Sequence, residues 1–570
     1  MGHGLGATLN DPNTLMARLM PGLGLLREYR REWLRSDLVA GVSVAAVAVP
    51  TAIAYAQLVG FEPIVGLYAA ILPLIAYALF GTSRQMIMNP DAATCAIVAA
   101  TILPLARGNP DVLLSLSVVL SLFTGLVCIA AGMLRLGFVA DFLSKPILVG
   151  FLNGVAISIF LGQIGKVFGF PMTSHRIIPA LIEFSGKLSQ THLPTLGVGL
   201  ATIAVIMVSA RLSPRAPAPL LAVVAAVTLV YGLDLEDRGV AVVGEVPAGL
   251  PQLIWPQFDP AFLKALLGGA LGVALVSYSK TMGVARSFAA RNRYEIDADQ
   301  ELFALGASQI ASGLSQGFAI SGADSRTAIN DAMGGKSQVV GLVAAVTMAA
   351  VLFFLTEPLH YLPVAALGAV LIFGAISLVD VASLLRIWKV SRAEFGVAVF
   401  CMIGVVALDV LEGLLLAVGS ALLLLIKRAS RPPDSLLGRV PGMKGWHEVA
   451  NQQDAVTHPG LVLYRFGAAL VFFNAAYFKK RVLEIIAGRN DIEWFILDGS
   501  TINMVDITGA EMLEALAGDL AARGVRFGLA NFRREVLNSL ERTGVLTGIR
   551  SDSIFLTLNS AADAFLSRSS

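Results

Sequence analysis

Two short polar stretches carry the residues most suited to chemistry, Asn89-Pro90-Asp91-Ala92-Ala93-Thr94 and Gly322-Ala323-Asp324-Ser325-Arg326-Thr327. Each interrupts an apolar run with residues that start helices, and matched on Asp91 and Asp324 they share the pattern Asp-x-x-Thr. The amides at a helix start leave a partial positive charge that favours an anion. In a bilayer, a broken helix is tolerated only where its freed backbone faces protein or a cavity. Paired interruptions in two halves of a chain therefore point to an anion site at the midplane of an inverted-repeat transporter. The plainer reading is a pair of polar loops between complete helices.

Ser325 and Arg326 are the leading anion ligands. A hydroxyl and nearby amides can donate to an oxyanion, and a guanidinium adds charge and directional donors. The alternative for Arg326 is a structural pair with an acid. Ala323 and Asp324 at one start, and Ala92 and Ala93 at the other, bring backbone to the same place. Asp91 suits a helix dipole but repels an anion, so it reads as structural or as the partner of a buried cation. Thr51, Tyr55 and Phe61 are candidates to line the site from the first apolar run, with ordinary packing as the alternative. Thr94 and Thr327 read as capping or back-bonding their own helices.

The elements that position these groups are membrane spans. The 570 residues are 56% hydrophobic and 14% charged, with mean hydropathy +0.74. Soluble domains carry about 25% charged residues. Apolar segments recur at about 38–56, 64–80, 91–106, 112–134, 146–168, 195–211 and 217–232. They resume at about 262–285, 298–313, 322–334, 337–355, 363–380, 394–409 and 412–427, so the chain reads as seven plus seven. Several are at or below the ~17–25 residues of a full span. A net charge of +2 gives no basis for nucleic-acid binding. Cys95, Cys128 and Cys401 lie far apart in apolar runs and read as buried hydrophobes. The histidines, His3, His175, His192, His360, His447 and His458, are scattered. No hydrolytic, redox, metal or phosphate-loop motif appears, so the chain reads as neither an enzyme nor a primary pump and needs no cofactor.

Charge sets the expected orientation. With the N-terminus inside, Arg84, Arg135, Lys145, Arg211, Arg215, Arg286, Arg291, Arg293, Arg386, Lys389, Arg392, Lys427 and Arg428 share one side. The opposite loops hold Arg107, Arg176, Lys187 and Arg238, and the turn from Asp409 to Glu412 has no basic residue. The positive-inside rule then places both termini in the cytoplasm of a multi-pass protein of the cell (inner) membrane. The residues through Asn13 lack the layout of a cleaved signal peptide. A basic amphipathic lead at 27–35 suits the membrane surface. After Arg431-Pro432-Pro433 the composition becomes that of a soluble α/β domain. Expected strands are 461–466, 470–473, 494–498 and 525–530, with helices at about 474–488, 508–523 and 531–543. The expected organisation is a cytoplasmic N-terminal segment 1–36, a transport domain 37–430, a linker 431–445 and a soluble domain 446–570.

Several motifs, in order, resemble the SulP anion transporters, the family of bacterial sulfate, bicarbonate and dicarboxylate carriers and of prestin. They are Asp37-Leu38-Val39-Ala40-Gly41, Pro50 with Ala54-Tyr55-Ala56, Gly66-Leu67-Tyr68, Gly81-Thr82-Ser83-Arg84, and Ser325-Arg326-Thr327 with Asn330 and Gly334-Gly335-Lys336. The C-terminal domain resembles STAS, with Asp498 ending the central strand and Asp506-Ile507-Thr508-Gly509 at the signature loop. The resemblance implies a seven-plus-seven inverted repeat. Its core is the first four helices of each half and its gate the last three, with the anion between the starts of the broken third and tenth helices. It also implies elevator-like movement of core against gate, a homodimer, and the possibility of a cytoplasmic partner for STAS.

Three positions depart from the family pattern. Thr51 stands where relatives often carry Gln, and is a shorter donor. Lys280 stands where many members have a carboxylate, five residues before Ala285-Arg286, and an ammonium cannot ligate Na⁺. A lysine within a span must face a cavity or pair with an acid, for which Asp91 and Asp324 are the candidates; otherwise it snorkels toward the basic side. Ile507 replaces a serine often phosphorylated in bacterial STAS regulators, leaving Thr508. The expected function is secondary transport of sulfate, bicarbonate, chloride or a dicarboxylate, Na⁺-independent, with proton coupling through a buried Lys280 or exchange as routes. The alternatives are an uncoupled anion channel or exchanger, or a membrane-anchored anion sensor.

Overall fold

The structure, a computed structural model, describes residues 20–568 except 28, 139–143, 173–176, 213–216, 245–246, 255–258, 409, 453 and 490. The stretch through Asn13, with His3, His175, Arg176, Arg215 and Asp409, lies outside the described residues. Contacts divide the chain into units 1–419 and 420–570, which are described separately.

The first unit is helical. Its helices are α1 (Leu34–Val59), α2 (Pro63–Phe80), α3 (Ala92–Ala106), α4 (Pro110–Met133), α5 (Lys145–Phe168), α6 (Leu193–Leu212) and α7 (Ala218–Gly232). The second half repeats the series with α8 (Leu263–Asn292), α9 (Ala298–Leu314), α10 (Asp324–Ala332), α11 (Val339–Phe354), α12 (Val364–Leu378), α13 (Arg392–Ala407) and α14 (Val410–Ser430), which ends in the second unit. Sequence punctuation explains the boundaries. Prolines open α2 and α4, Asn109 caps α4, Asp297 caps α9, and Gly60 (φ +91°) closes α1 in the left-handed region. Among the described residues, seven helices are long and apolar enough to cross a membrane by length and composition alone, while α3, α7 and α11 are apolar but shorter. Four further helices among the described residues, Pro21–Arg27, Ile177–Lys187, Thr356–His360 and Val381–Val390, were not anticipated; Asp380 starts the last by accepting from Ser383 N at 2.8 Å.

The packing separates two groups of helices. Helix α9 packs on α4 and α2, α11 on α1 and α2, α8 on α4 and α3, and α10 on α1. The other group pairs α5 with α13 and α12, and α6 with α7 and α12. Exchanging each helix with the one seven places later maps α1–α11 contact onto α8–α4, α2–α11 onto α9–α4, α3–α8 onto α10–α1, and α5–α13 onto α12–α6. That is the relation expected of two equivalent halves.

Buried carboxylates fix the first group. Glu301 on α9 accepts from Tyr77 Oη (2.6 Å), Thr82 Oγ1 (2.6 Å), Thr82 N (2.8 Å) and Ser83 N (3.1 Å), clamping the end of α2. Asp37, near the start of α1, accepts from Lys336 N (2.7 Å) and Ser337 Oγ (2.6 Å) ahead of α11. Four or two donors on one carboxylate replace the water that burial removes.

The second unit carries a six-stranded sheet in the order β4 (His447–Glu448), β3 (Asp434–Gly438), β5 (Leu461–Phe466), β6 (Trp494–Asp498), β7 (Arg526–Ala530) and β8 (Ile554–Phe555). The β5–β6–β7–β8 pairings are parallel, and β3 runs antiparallel to both its neighbours. Helices α15 (Ala475–Ala487), α16 (Ile507–Ala521), α17 (Arg534–Arg542) and α18 (Leu558–Leu566) complete it. One hydrophobic cluster includes Phe478, Phe495 and Leu513, and a second includes Trp494, Ile496 and Phe565, so both sheet faces are covered. Residues 434–438, within the stretch read as a linker, are strand β3. The strand expected at 470–473 does not form: only Leu470 bridges Val505, and the next residues turn, with Val471 N bonded to Asn474 Oδ1 at 2.9 Å.

Close helix approach gives a stability test. A Cβ on Gly66 would lie 2.0 Å from Ala52 O, whereas one on Gly268 of α8 meets nothing within 4 Å. Gly66→Ala is expected to destabilise by about 1–3 kcal/mol, the usual cost of overpacking. Gly268→Ala should be neutral or slightly stabilising. Thermal unfolding of the purified variants checks this; equal midpoints would show that α1 and α2 separate freely.

Candidate functional site

Two extended segments meet where the helices are interrupted. Strand β1 (Met88–Asn89) pairs antiparallel with β2 (Ser321–Gly322), with Met88 opposite Gly322 and Asn89 opposite Ser321. Ala323 N donates to Ile87 O at 2.9 Å, and Thr281 Oγ1 accepts from Gly322 N at 2.9 Å. A Cβ on Gly322 would stand 2.7 Å from Met86 Sδ and 3.0 Å from Thr281 Oγ1, so this strand lies on α8 only because position 322 is glycine. Helices α3 and α10 start immediately after the crossing, and their N-termini therefore come together.

The two starts differ. Asp91 caps α3 by accepting from Ala93 N at 3.2 Å. Helix α10 has no side-chain cap, and the amides of its first turn have no intrahelical acceptor. Asp324 and Ser325 are exposed, while Ala92, Ala93, Ala323, Arg326 and Thr51 are buried. The uncapped start is thus the one that opens to solvent.

Charge at the crossing is balanced internally. Lys280, buried on α8, pairs through Nζ with Asp91 and, at 3.1 Å, with the Asp324 carboxylate. One ammonium therefore joins the acids of both helix starts. Lys280 is buried and paired with both acids, so it does not snorkel. Arg326 finds no acid among the described residues. Its Nη2 donates to Thr51 Oγ1 (2.8 Å) and Pro90 O (3.1 Å), and its Nη1 lies 3.4 Å from Ser325 Oγ. The guanidinium sits 5.6 Å from the Tyr55 ring centroid, within cation–π range. Arg326 Nε is buried without a partner. The arrangement presents two cations, two anions, an exposed hydroxyl and an open helix start, which suits reversible binding of an anion rather than bond cleavage.

Several expectations are corrected. Phe61 stacks on Phe318 (5.8 Å, 7°) and packs rather than lines the site. Thr327 Oγ1 accepts from Ile87 N at 3.1 Å, and Thr94 Oγ1 is buried without a partner, so neither caps nor back-bonds its own helix. Thr51 does back-bond, to Val47 O at 2.7 Å, which leaves its oxygen aimed at Arg326. Thr281, which sets the β2 backbone, was missed. Its only sequence signal is its place next to Lys280. In the soluble unit, Asp506 caps α16 through Gly509 N (2.7 Å) and accepts from Phe472 N (2.7 Å), and Thr508 is exposed. Buried Asp498 accepts from Arg465 Nε (2.7 Å), Ser500 Oγ (2.9 Å) and Asn531 Nδ2 (3.0 Å).

Comparison with known proteins places this geometry in context. The profile of the sulfate permease family matches residues 34–401, and that of the STAS domain matches 452–561. A probable sulfate transporter of Mycobacterium tuberculosis is 38% identical over 558 residues, spanning 98% of this chain and 100% of that protein. Sulfate transporter 4.1, chloroplastic, of Arabidopsis thaliana is 29% identical over 96% of this chain and 82% of its own length. The murine solute carrier 26 family member A9 anion transporter, solved in the inward-facing state, superposes with a TM-score of 0.92 at 23% identity, over 100% of this chain and 97% of that one. The transmembrane domain of a cyanobacterial bicarbonate transporter, BicA, gives a TM-score of 0.60 at 23% identity over 69% and 98%. The likeness to these structures is one of fold.

The central ion pair yields a stability prediction. Lys280→Met leaves the Asp91 carboxylate buried without a counter-charge, and removing one partner of a buried pair costs about 3–5 kcal/mol. Adding Asp91→Asn should restore most of the loss. Thermal unfolding in detergent reads both; a Lys280→Met variant as stable as the parent would show that Asp91 is solvated.

Proposed function

The chain belongs to the sulfate permease family, and from that premise we propose that it is a secondary carrier of a small oxyanion, with sulfate the leading substrate. The observation that carries the proposal is the uncapped, solvent-open start of α10, with Ser325 exposed and Arg326 directly behind it. An oxyanion supplies the missing cap: its oxygens accept from Ser325 Oγ and the first-turn amides of α10, while Ala92 and Ala93 close the site from α3. Arg326, held by Thr51 and Pro90, contributes charge from below. Sulfate is favoured by the full-length relatives named as sulfate transporters.

Lys280 supplies the coupling logic. Its ammonium sits between the two carboxylates that would otherwise ligate a cation, so transport proceeds without Na⁺. Asp324 is the more exposed of the pair's acids and faces the open start of α10. The group built on α1–α4 and α8–α11 moves as the carrier against α5–α7 and α12–α14. The working assembly is a homodimer in the cell membrane with both termini cytoplasmic, and the STAS domain is its contact for other cytoplasmic proteins.

Uptake of labelled sulfate, bicarbonate and dicarboxylate into proteoliposomes, under separate Na⁺ and pH gradients, tests the proposal. Sulfate uptake should be equal with and without Na⁺ and should fall at least tenfold in Arg326→Ala and in Ser325→Ala. Strict Na⁺ dependence would overturn the role of Lys280, and wild-type uptake in both variants would move the site elsewhere.

A further inference from the structure

The second unit holds a cavity of about 610 Å³ where the last apolar helix ends, lined among others by Ser430, Arg431, Phe473, Tyr477, Lys480 and Arg481. It is fastened to that helix: Asn474, buried at the start of α15, donates to Ala429 O at 3.3 Å and to Ala469 O at 2.9 Å. Lys427 and Arg428 stand one turn above on α14, so five basic residues gather at this junction. Two acids share the cavity and are already engaged. Asp434 accepts from Arg481 Nε (3.1 Å) and Tyr464 Oη (3.0 Å), and Glu484 accepts from Arg481 Nη1 at 2.8 Å. Arg481 is thereby neutralised. Arg431 pairs with no carboxylate among the described residues, and Lys480 reaches Glu484 only at 3.8 Å with 73% of its side chain exposed.

Exposed apolar residues flank the lining of this basic cavity along the chain. Leu422, Leu423, Leu425 and Ile426 are exposed along the final turns of α14. Phe473 lines the cavity, and Phe472 is 69% exposed beside it, the two rings meeting edge-on at 5.1 Å. A soluble phosphate has no use for exposed phenylalanines or an aliphatic helix face. A phospholipid uses both, since its chains cover apolar surface and its headgroup meets the basic residues that follow a membrane helix.

We propose that this cavity is a binding site for an anionic phospholipid, with the lipid phosphate held by Arg431 and Lys480 and the glycerol region against Phe472 and Phe473. Occupancy ties the soluble domain to the bilayer at its first strand. Lipid binding at this cavity is independent of which anion the protein carries.

The full-length protein in detergent, titrated with dioctanoyl phosphatidylglycerol, dioctanoyl phosphatidylcholine and inorganic phosphate, provides the test. Native mass spectrometry counts bound lipid and reports oligomeric state in the same spectrum. Phosphatidylglycerol should bind at least tenfold more tightly than phosphatidylcholine, and inorganic phosphate should not displace it at equal concentration. The double variant Arg431→Gln with Lys480→Gln should lose that preference, and Phe472→Ser should weaken retention of both lipids while circular dichroism stays unchanged. Retention of phosphatidylglycerol unaltered in the double variant overturns the proposal. So does displacement by inorganic phosphate, which would identify a soluble ligand, or a change in oligomeric state without lipid loss, which would identify a second copy of the chain as the occupant.

Discussion

The site depends on one ammonium shared by two carboxylates. Asp91 caps α3 and Asp324 opens α10, and without a cation between them two negative groups would face each other at the point where two helix starts converge. Lys280 removes that repulsion and in doing so fixes α8 against both starts. The backbone crossing of β1 with β2 and the lodging of Gly322 on Thr281 then follow from the same three-way contact. Burial raises the stakes, because a charge withdrawn from water is tolerated only when it is paired and hydrogen-bonded.

The division of labour among the polar residues becomes clear from that centre. Arg326 is held by neutral oxygens alone, from Thr51 and Pro90, so its positive charge is uncancelled at close range. Thr51 is short, and it reaches Arg326 because its hydroxyl also bonds back to Val47 O. A longer side chain at this position would occupy space beside the guanidinium. The departure from the family pattern thus makes local sense: a small residue on α1 accompanies a cation on α8.

Most of the architecture was legible in the sequence because membrane helices announce themselves through length and apolarity, and because Asp91 and Ser325-Arg326 break that pattern in matching places. The ends were legible wherever proline, glycine or a capping side chain marked them, as at Gly60, Pro110 and Asp297. What escaped had weak local signals. Strand β3 lies in a stretch whose prolines suggested a linker, and it becomes a strand through pairing with β5. Residues 470–473 have strand composition yet turn, since Asn474 takes the amide of Val471. Thr327 was legible as a helix residue, but its hydroxyl serves Ile87 across the crossing, a contact no local pattern encodes. Phe61 was open between lining the site and ordinary packing, and stacking on Phe318 decides for packing.

The crossing also constrains how the protein can be made. Asp91 and Lys280 are 189 residues apart, Pro90 and Arg326 are 236 apart, and Asp37 and Ser337 are 300 apart. At synthesis rates of about 5–20 residues per second, the first carboxylate waits on the order of ten to forty seconds for its counter-charge. During that interval α3 has a polar start and no partner for it, and Asp37 lacks both of its donors. The first seven helices therefore leave the ribosome as an unfinished half whose buried acids are still exposed liabilities.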